Sequence, residues 1–499
     1  MALLQNQIPM YWPSGPLEIA KRQKEKGFTP DSKLTLARWH EPAALDLLKD
    51  TPINCLVLNW AAGLPEDRQQ WQTAGPLLAA AQQRNLAVVG WVEGSADAGA
   101  AIAAAKSAGL AAVAVKGFQG KSDFTVIPWA ERATANWDAQ APVLPVTDNA
   151  WPGILSQPGG AVSAGPTATP WVESNGWYVQ LAQARTEAPV WLMFNPPSTE
   201  NVVPGPSYSS AVLDAESWGG RWVLSLDDNL RSTLLKGDSA ARRTLGGISS
   251  AIRFYEKHRE WKTYRPAGVV GVLSDYAGEN FDMSGEILKL SLRRGLLSRP
   301  LWKSRLTAQS FAGLKGLVYA DKQPPAADLR KRMMAFVEQG GFLASGPNWG
   351  PEGKSAGAHA RFDLRAFGKG RMAVAKEELV DPFQMAVDIQ GIFSRANDLV
   401  RLFNGTTAGG VNYTTSPDDK KALLQVLNYS AGGGFFGGGA ARAGTPSVAV
   451  WVRRTYRSAR LWSLDSAEPA PLKAVSADGG GNEYHIDLMP SFAAIEFEV

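Results

Sequence analysis

From Leu34 to about Arg265, short apolar runs alternate with stretches in which small and apolar residues recur at helical spacing. Repetition of strand, helix and strand is what a parallel sheet covered by helices requires. Eight runs read as strands: LTLARWH (34–40), NCLVLNW (54–60), LAVVGWVEG (86–94), LAAVAVKG (110–117), PVLPVTD (142–148), AVSAGPTATPW (161–171), PVWLMFNP (189–196) and RWVLSLDD (221–228). Between them PLLAAAQQRN (76–85), AGAAIAAAKSAG (98–109) and NGWYVQLAQAR (175–185) read as helices. Eight such units in about 230 residues have the size of a (β/α)8 TIM barrel. The run 161–171 alternates least well, because Gly and Pro interrupt it.

After Tyr264-Arg265-Pro266 the pattern restarts. VVGVLSDY (269–276), GLVYAD (316–321) and FLASGP (342–347) read as strands, with helices at FDMSGEILKLSLRRGLL (281–297) and AADLRKRMMAFVEQGG (326–341), a small doubly wound α/β domain. A further helix is expected over 381–403. The runs KALLQVLNYS, SVAVWVRRTY, ARLWSLD, YHIDLMP and AAIEFEV then alternate at the strand period and predict a C-terminal β-sandwich. The expected domains are thus 1–265, 266–405 and 406–499. The stretch AGGGFFGGGAARAGTP (431–446) reads as a Gly-rich loop without the strand-then-helix context of a phosphate-binding motif.

Charge narrows the partners. Fifty-one basic and 47 acidic residues leave +4 with no Lys/Arg run, which argues against nucleic acid and an anionic membrane. Cys55 is the single cysteine, so no intramolecular disulfide or Cys-cluster metal site can form. His40, His258, His359 and His485 lie far apart in sequence, and neither a metal nor an organic cofactor is expected. No apolar run is long enough to cross a bilayer, and the opening MALLQNQIPM is too short and polar for a secretory leader. The compartment stays open: a periplasmic or secreted protein freed of its leader fits the same residues.

In a barrel of this type the chemistry sits where strands end. Arg38, Trp39, His40, Asn59, Trp60, Trp91, Glu93, Asp148, Trp171, Glu173, Asn195 and Asp227 all close or follow an expected strand. Fourteen of the 18 tryptophans precede residue 266, and four of them, Trp39, Trp60, Trp91 and Trp171, are at or near strand ends. An indole offers an apolar face to the C–H side of a pyranose and an N–H to a hydroxyl, so such a rim suits a neutral sugar; packing within the barrel is the alternative use. Glycoside cleavage needs two carboxyl groups flanking the bond, and Glu93, Asp148, Glu173 and Asp227 are the candidates, Glu93 and Asp148 being the first pair to test. Each could instead cap a helix or pair with a cation. Asn59 and Asn195 are candidate hydroxyl partners, His40 could bind a hydroxyl or serve a structural role, and Arg38 is a further substrate-binding candidate. Asp228 reads as part of a helix-entry turn.

The order of barrel, small α/β domain and β-sandwich resembles family 42 β-galactosidases and related multidomain glycoside hydrolases, whose middle domain is similar to a class I glutamine amidotransferase. The resemblance is carried by VVGVLSDYAGEN (269–280), GLVYAD (316–321), FVEQGGFLASGP (336–347) and FDLRAFGKGRMAVAKEELVDPF (362–383). It implies a carbohydrate substrate, and association of copies through the middle domain. The amidotransferase-like domain would be inactive, since residues 266–400 hold no cysteine. The family places an Asn-Glu pair after the fourth strand and a Glu after the seventh; here those places read Val115-Lys116-Gly117 and Phe194-Asn195-Pro196. That catalytic pair does not carry over. The expectation is therefore a glycoside hydrolase using other carboxylates, or a sugar-binding relative with a degenerate barrel.

Overall fold

The computed structural model describes residues 2–154, 172–193, 202–293, 296–350, 352–393, 395–403, 409–429, 448–464, 466–476, 480–486 and 492–499. The chain divides into two compact units, one built from 1–152 and 186–258, the other from 153–185, 259–434 and 439–499.

The first unit is an eight-stranded parallel barrel. Its first six strands are β1 (Pro9–Trp12), β2 (Cys55–Ala61), β3 (Ala87–Val92), β4 (Ala112–Lys116), β5 (Val126–Glu131) and β6 (Leu144–Thr147). The next two strands, β7 (Gly153–Ile154) and β8 (Val172–Glu173), pair antiparallel and belong to the second unit. β9 (Val190–Leu192) and β10 (Arg221–Trp222) complete the order β1-β2-β3-β4-β5-β6-β9-β10. The ring closes just beyond β10, where Tyr11 N–H donates to the Leu224 carbonyl at 2.8 Å and Leu224 N–H donates to that of Pro9 at 3.0 Å. Alternate residues point inward, as the strand period of two dictates. Cys55 and Val57, Val89 and Trp91, Ala112 and Ala114, and Ile127 and Trp129 meet Tyr11, Trp191, Met193 and Val223 in one buried cluster.

Five of the expected strands overlap β2, β3, β4, β6 and β9, and a sixth overlaps β10. Two differ. The run 34–40 is helical: Pro30–Trp39 is an α-helix whose N-cap, Thr29, accepts a hydrogen bond from Ser32 N–H at 3.1 Å, with Pro30 in the first turn. Its buried residues Thr35, Leu36 and Trp39 follow helical spacing, and this cap and spacing outweigh the β-like composition. The true first strand is the four-residue Pro9–Trp12. The run 161–171 lies outside the described residues, and the place it was given in the barrel belongs to β6. β5 went unread because Pro128 sits inside it. The ladder accommodates that proline because residues 126–129 pair with β4 and only Ala130 and Glu131 pair with β6.

The second unit contains a seven-stranded sheet in the order 298–302, 270–274, 316–319, 342–345, 370–375, 362–367 and 354–358. The first five strands are parallel and the last two antiparallel, with helices Glu279–Arg293, Ala327–Glu338 and Pro382–Phe393. The helix expected over 381–403 ends at Phe393, and Val400–Phe403 is a strand. A six-stranded sheet, which includes Arg265–Pro266, and a four-stranded sheet, which includes Val400–Phe403, share one apolar core, to which Val411, Leu424, Val426, Ile495 and Phe497 come from one sheet and Val448, Val450, Tyr484 and Ile486 from the other. The Gly-rich stretch 431–446 lies outside the described residues.

Candidate active site

The strand ends of the barrel surround a cavity of about 750 Å³. β1 contributes Tyr11, β3 contributes Trp91 followed by Glu93, β4 contributes Lys116, β5 contributes Trp129 and Glu131, and β6 contributes Thr147 followed by Asp148; Met193 follows β9. These are carboxyl-terminal strand ends, the position that strand tilt and alternation open to solvent in a barrel.

Trp91 and Trp129 stack with ring centroids 4.4 Å apart and an interplanar angle of 25°. Trp129 Nε1 donates to the Val92 carbonyl at 2.9 Å, which ties the ring across β4 to the end of β3. Lys116 Nζ stands 5.4 Å from the Trp129 centroid and is ion-paired with Glu131. Across the cavity wall Lys21, from the helix Gly15–Arg22, reaches Glu93 at 2.5 Å and Glu18 at 3.4 Å. Burial works against the Lys21 charge, but the surrounding Tyr11, Glu18 and Glu93 outweigh it and hold the ammonium well above its ordinary value. Tyr11 lines the pocket, and burial pushes its phenol far up, which keeps its hydroxyl protonated.

Asp148 differs from the other two carboxylates. Its backbone is left-handed at φ 61°, a conformation that Asp and Asn tolerate better than most residues. The following Asn149 anchors the turn from a fully buried position, its Nδ2 donating to the Val146 carbonyl at 2.6 Å and to that of Met193 at 3.4 Å. Among the described residues the Asp148 carboxylate makes no hydrogen bond and no ion pair.

The structure thus gathers Glu93, Asp148 and Trp91 in one pocket. It places the other described candidates elsewhere. Asp227 is the N-cap of the helix Asp228–Leu235: Oδ1 accepts from Leu230 N–H at 2.7 Å, while Oδ2 accepts from Val203 N–H and the Tyr208 hydroxyl, both at 2.9 Å. Glu173 belongs to the second unit, where it pairs with the buried Lys289 at 3.0 Å. Arg38 is on the exposed face of its helix. Trp39 is core, stacked on Trp12 at 4.3 Å, and His40 lies between Ser14 Oγ at 3.0 Å and Thr73 Oγ1 at 3.3 Å, with burial lowering its basicity. Asn59 is buried in β2, its Oδ1 accepting from Ser14 N–H at 3.0 Å and its Nδ2 unpaired among the described residues. Trp60 donates to the Ala101 carbonyl at 3.0 Å from a fully buried position. Trp171 and Asn195 lie outside the described residues.

Tyr11, Lys21, Trp129 and Glu131 were missed as site residues. For the last two a signal was present, since Ile127, Trp129 and Glu131 alternate along VIPWAE and end in a carboxylate. Among the described residues no group of His, Cys, Asp and Glu is arranged to hold a metal, and no helix is long and apolar enough to cross a membrane.

No family model and no curated protein matches this sequence. Solved structures do. The chain is similar to α-L-fucosidase isoenzyme 2 from Paenibacillus thiaminolyticus, at 8% identity over 99% of both chains with a TM-score of 0.50. A β-galactosidase from Bacillus circulans sp. alkalophilus aligns at 9% identity over 98% of this chain and 88% of its own, TM-score 0.44. A GH42 β-galactosidase from G. stearothermophilus aligns at 10% identity over 99% and 88%, TM-score 0.43. At such identities the likeness is one of fold, and these fold neighbours are glycoside hydrolases.

Proposed function

We propose that the barrel unit is a glycoside hydrolase acting on an oligo- or polysaccharide, with Asp148 and Glu93 as its two carboxyl groups. The observation that carries this reading is the unpaired Asp148 carboxylate in the same pocket as Glu93 and the stacked Trp91–Trp129 pair. The indoles supply an apolar platform for a sugar ring, and Tyr11 supplies a hydroxyl donor beside it. Lys21 gives Glu93 a charged partner, which suits an anion facing the anomeric carbon. Asp148 has no cation and suits proton transfer. In the reaction, Asp148 gives its proton to the glycosidic oxygen as the bond to the anomeric carbon breaks. Glu93 either bonds that carbon or takes a proton from the water that attacks it, and water supplies the new hydroxyl in both courses.

The tethering of Glu93 and Glu131 to lysines supports a second reading, a carbohydrate-binding protein whose barrel holds a sugar without cleaving it. A panel of aryl glycosides and natural oligosaccharides separates the two. Turnover by the parent, abolished in Asp148→Asn and Glu93→Gln with the circular dichroism spectrum intact, is the result expected of the hydrolase. Turnover unchanged in both variants rejects this pair. No turnover on any substrate, with saturable quenching of tryptophan fluorescence by a sugar, selects the binding protein.

A further inference from the structure

Trp129 and Glu131 take no chemical part in the hydrolysis proposed above, yet together they form a niche in the pocket wall. The niche already holds an ammonium. Lys116 Nζ stands 5.4 Å from the Trp129 ring centroid and pairs with the Glu131 carboxylate. An aromatic face beside a carboxylate attracts a cation through both the ring quadrupole and the charge. The Lys116 and Glu131 side chains are 41% and 44% exposed, and an ion pair that open to water is weak and readily exchanged.

The charge of the pocket points the same way. Glu131 lies in register with Thr147, so the next residue, Asp148, brings a second carboxylate to the adjoining strand end. Glu93, Glu131 and Asp148 share the cavity wall, and Lys21 and Lys116 are the cations paired there, so an ammonium that displaced Lys116 from Glu131 would be flanked by carboxyl oxygens. A neutral sugar, the substrate expected from the tryptophan pattern alone, gives the Glu131 carboxylate nothing in exchange for Lys116. A cationic one does.

We propose that the Trp129–Glu131 niche is an ammonium subsite and that the glycan taken by this pocket carries a free amino group, as a 2-amino-2-deoxyhexose does, whose ammonium displaces that of Lys116. This deepens the glycan reading of the pocket and rests on it. The displaced lysine side chain turns into the solvent to which it is already exposed.

Isothermal titration of the full chain with glucosamine and galactosamine oligomers, and with their fully N-acetylated counterparts, tests the subsite. The amine forms are expected to bind at least tenfold more tightly than the acetylated forms. Glu131→Gln should erase that preference while acetylated ligands keep their affinity, and Lys116→Met, which removes the competing ammonium, should tighten amine binding severalfold. Equal or tighter binding of acetylated oligomers, a preference that survives Glu131→Gln, or no gain in Lys116→Met would overturn the proposal. Uncharged glycans bound with no preference for the amine overturn the subsite alone; no glycan bound at all overturns the glycan reading with it.

Discussion

Lys21 Nζ lies 2.5 Å from a Glu93 carboxylate oxygen and 3.4 Å from one of Glu18, so a single side chain from the first helix of the barrel holds the carboxylate that follows β3. Glu18 is nearly buried, and without Lys21 its charge would face that of Glu93. Lys21→Met should therefore destabilise the fold by roughly 2 kcal/mol, below the figure for a fully buried pair because Glu93 is partly solvated. Urea unfolding measures this. Lys21→Arg should recover most of the loss, and a Lys21→Met protein as stable as the parent would show that the pair holds nothing in place.

Asp227 was a candidate catalytic carboxylate by its position at the end of the eighth strand. Its three accepted hydrogen bonds make it a helix cap and a clamp on Tyr208. Asp227→Ala should cost about 3 kcal/mol, the sum of a lost cap and two further bonds, while ligand affinity per folded molecule stays unchanged. A selective loss of ligand affinity with stability retained would return Asp227 to the active site.

Legibility in the sequence followed the length and purity of each hydrophobic run. The buried strand at Cys55–Ala61 and those at Ala87–Val92 and Ala112–Lys116 are nearly continuous apolar segments, and periodicity locates them directly. Pro9–Trp12 is too short to show a period, and Pro128 masks Val126–Glu131. The candidate site divided along the same line. Glu93 and Asp148 end readable strands and were found, whereas Glu131 ends an unread one and was not. Lys21 could not be found by any rule about strand ends, because it reaches the pocket from a helix. Trp39 and Trp60 show the other failure: a tryptophan near a strand end serves packing as readily as binding, and it is the lining of the pocket, to which Trp91 and Trp129 belong, that separates the uses.

Acid should loosen the barrel unit through Asp228. Arg22 grips this carboxylate with two hydrogen bonds of 2.7 Å, and Arg231 joins it. Burial alone would raise the carboxyl, but the hydrogen bond from Arg22 and the charges of Arg231 and Arg22 more than offset it, and its value is lowered. A lowered folded value means that the stabilisation is fully present above the unfolded Asp value of about 3.9 and is lost as pH falls through the folded value. Asp228→Asn should thus be less stable than the parent by roughly 1–3 kcal/mol at pH 7 and show a shallower loss of stability below about pH 4. Parallel stability curves for the two proteins over that range would remove Asp228 from the account.

Asp148 offers the cleanest separation of folding from chemistry, because its backbone at φ 61° constrains what can replace it. Asparagine accepts the left-handed region about as well as aspartate, so Asp148→Asn should keep stability within about 0.5 kcal/mol of the parent while removing the ionisable carboxyl. Alanine lacks the short polar side chain that eases this conformation, and Asp148→Ala should lose roughly 1 kcal/mol as well as the carboxyl. If Asp148 transfers the proton, both variants fall by at least about 100-fold in turnover, yet they differ in melting temperature. Sugar binding should survive in Asp148→Asn, since the Trp91–Trp129 platform and the Lys21–Glu93 pair are untouched. Turnover that tracks the stability difference between the two variants, rather than the shared loss of the carboxyl, would mean that Asp148 shapes the turn after β6 and does no more.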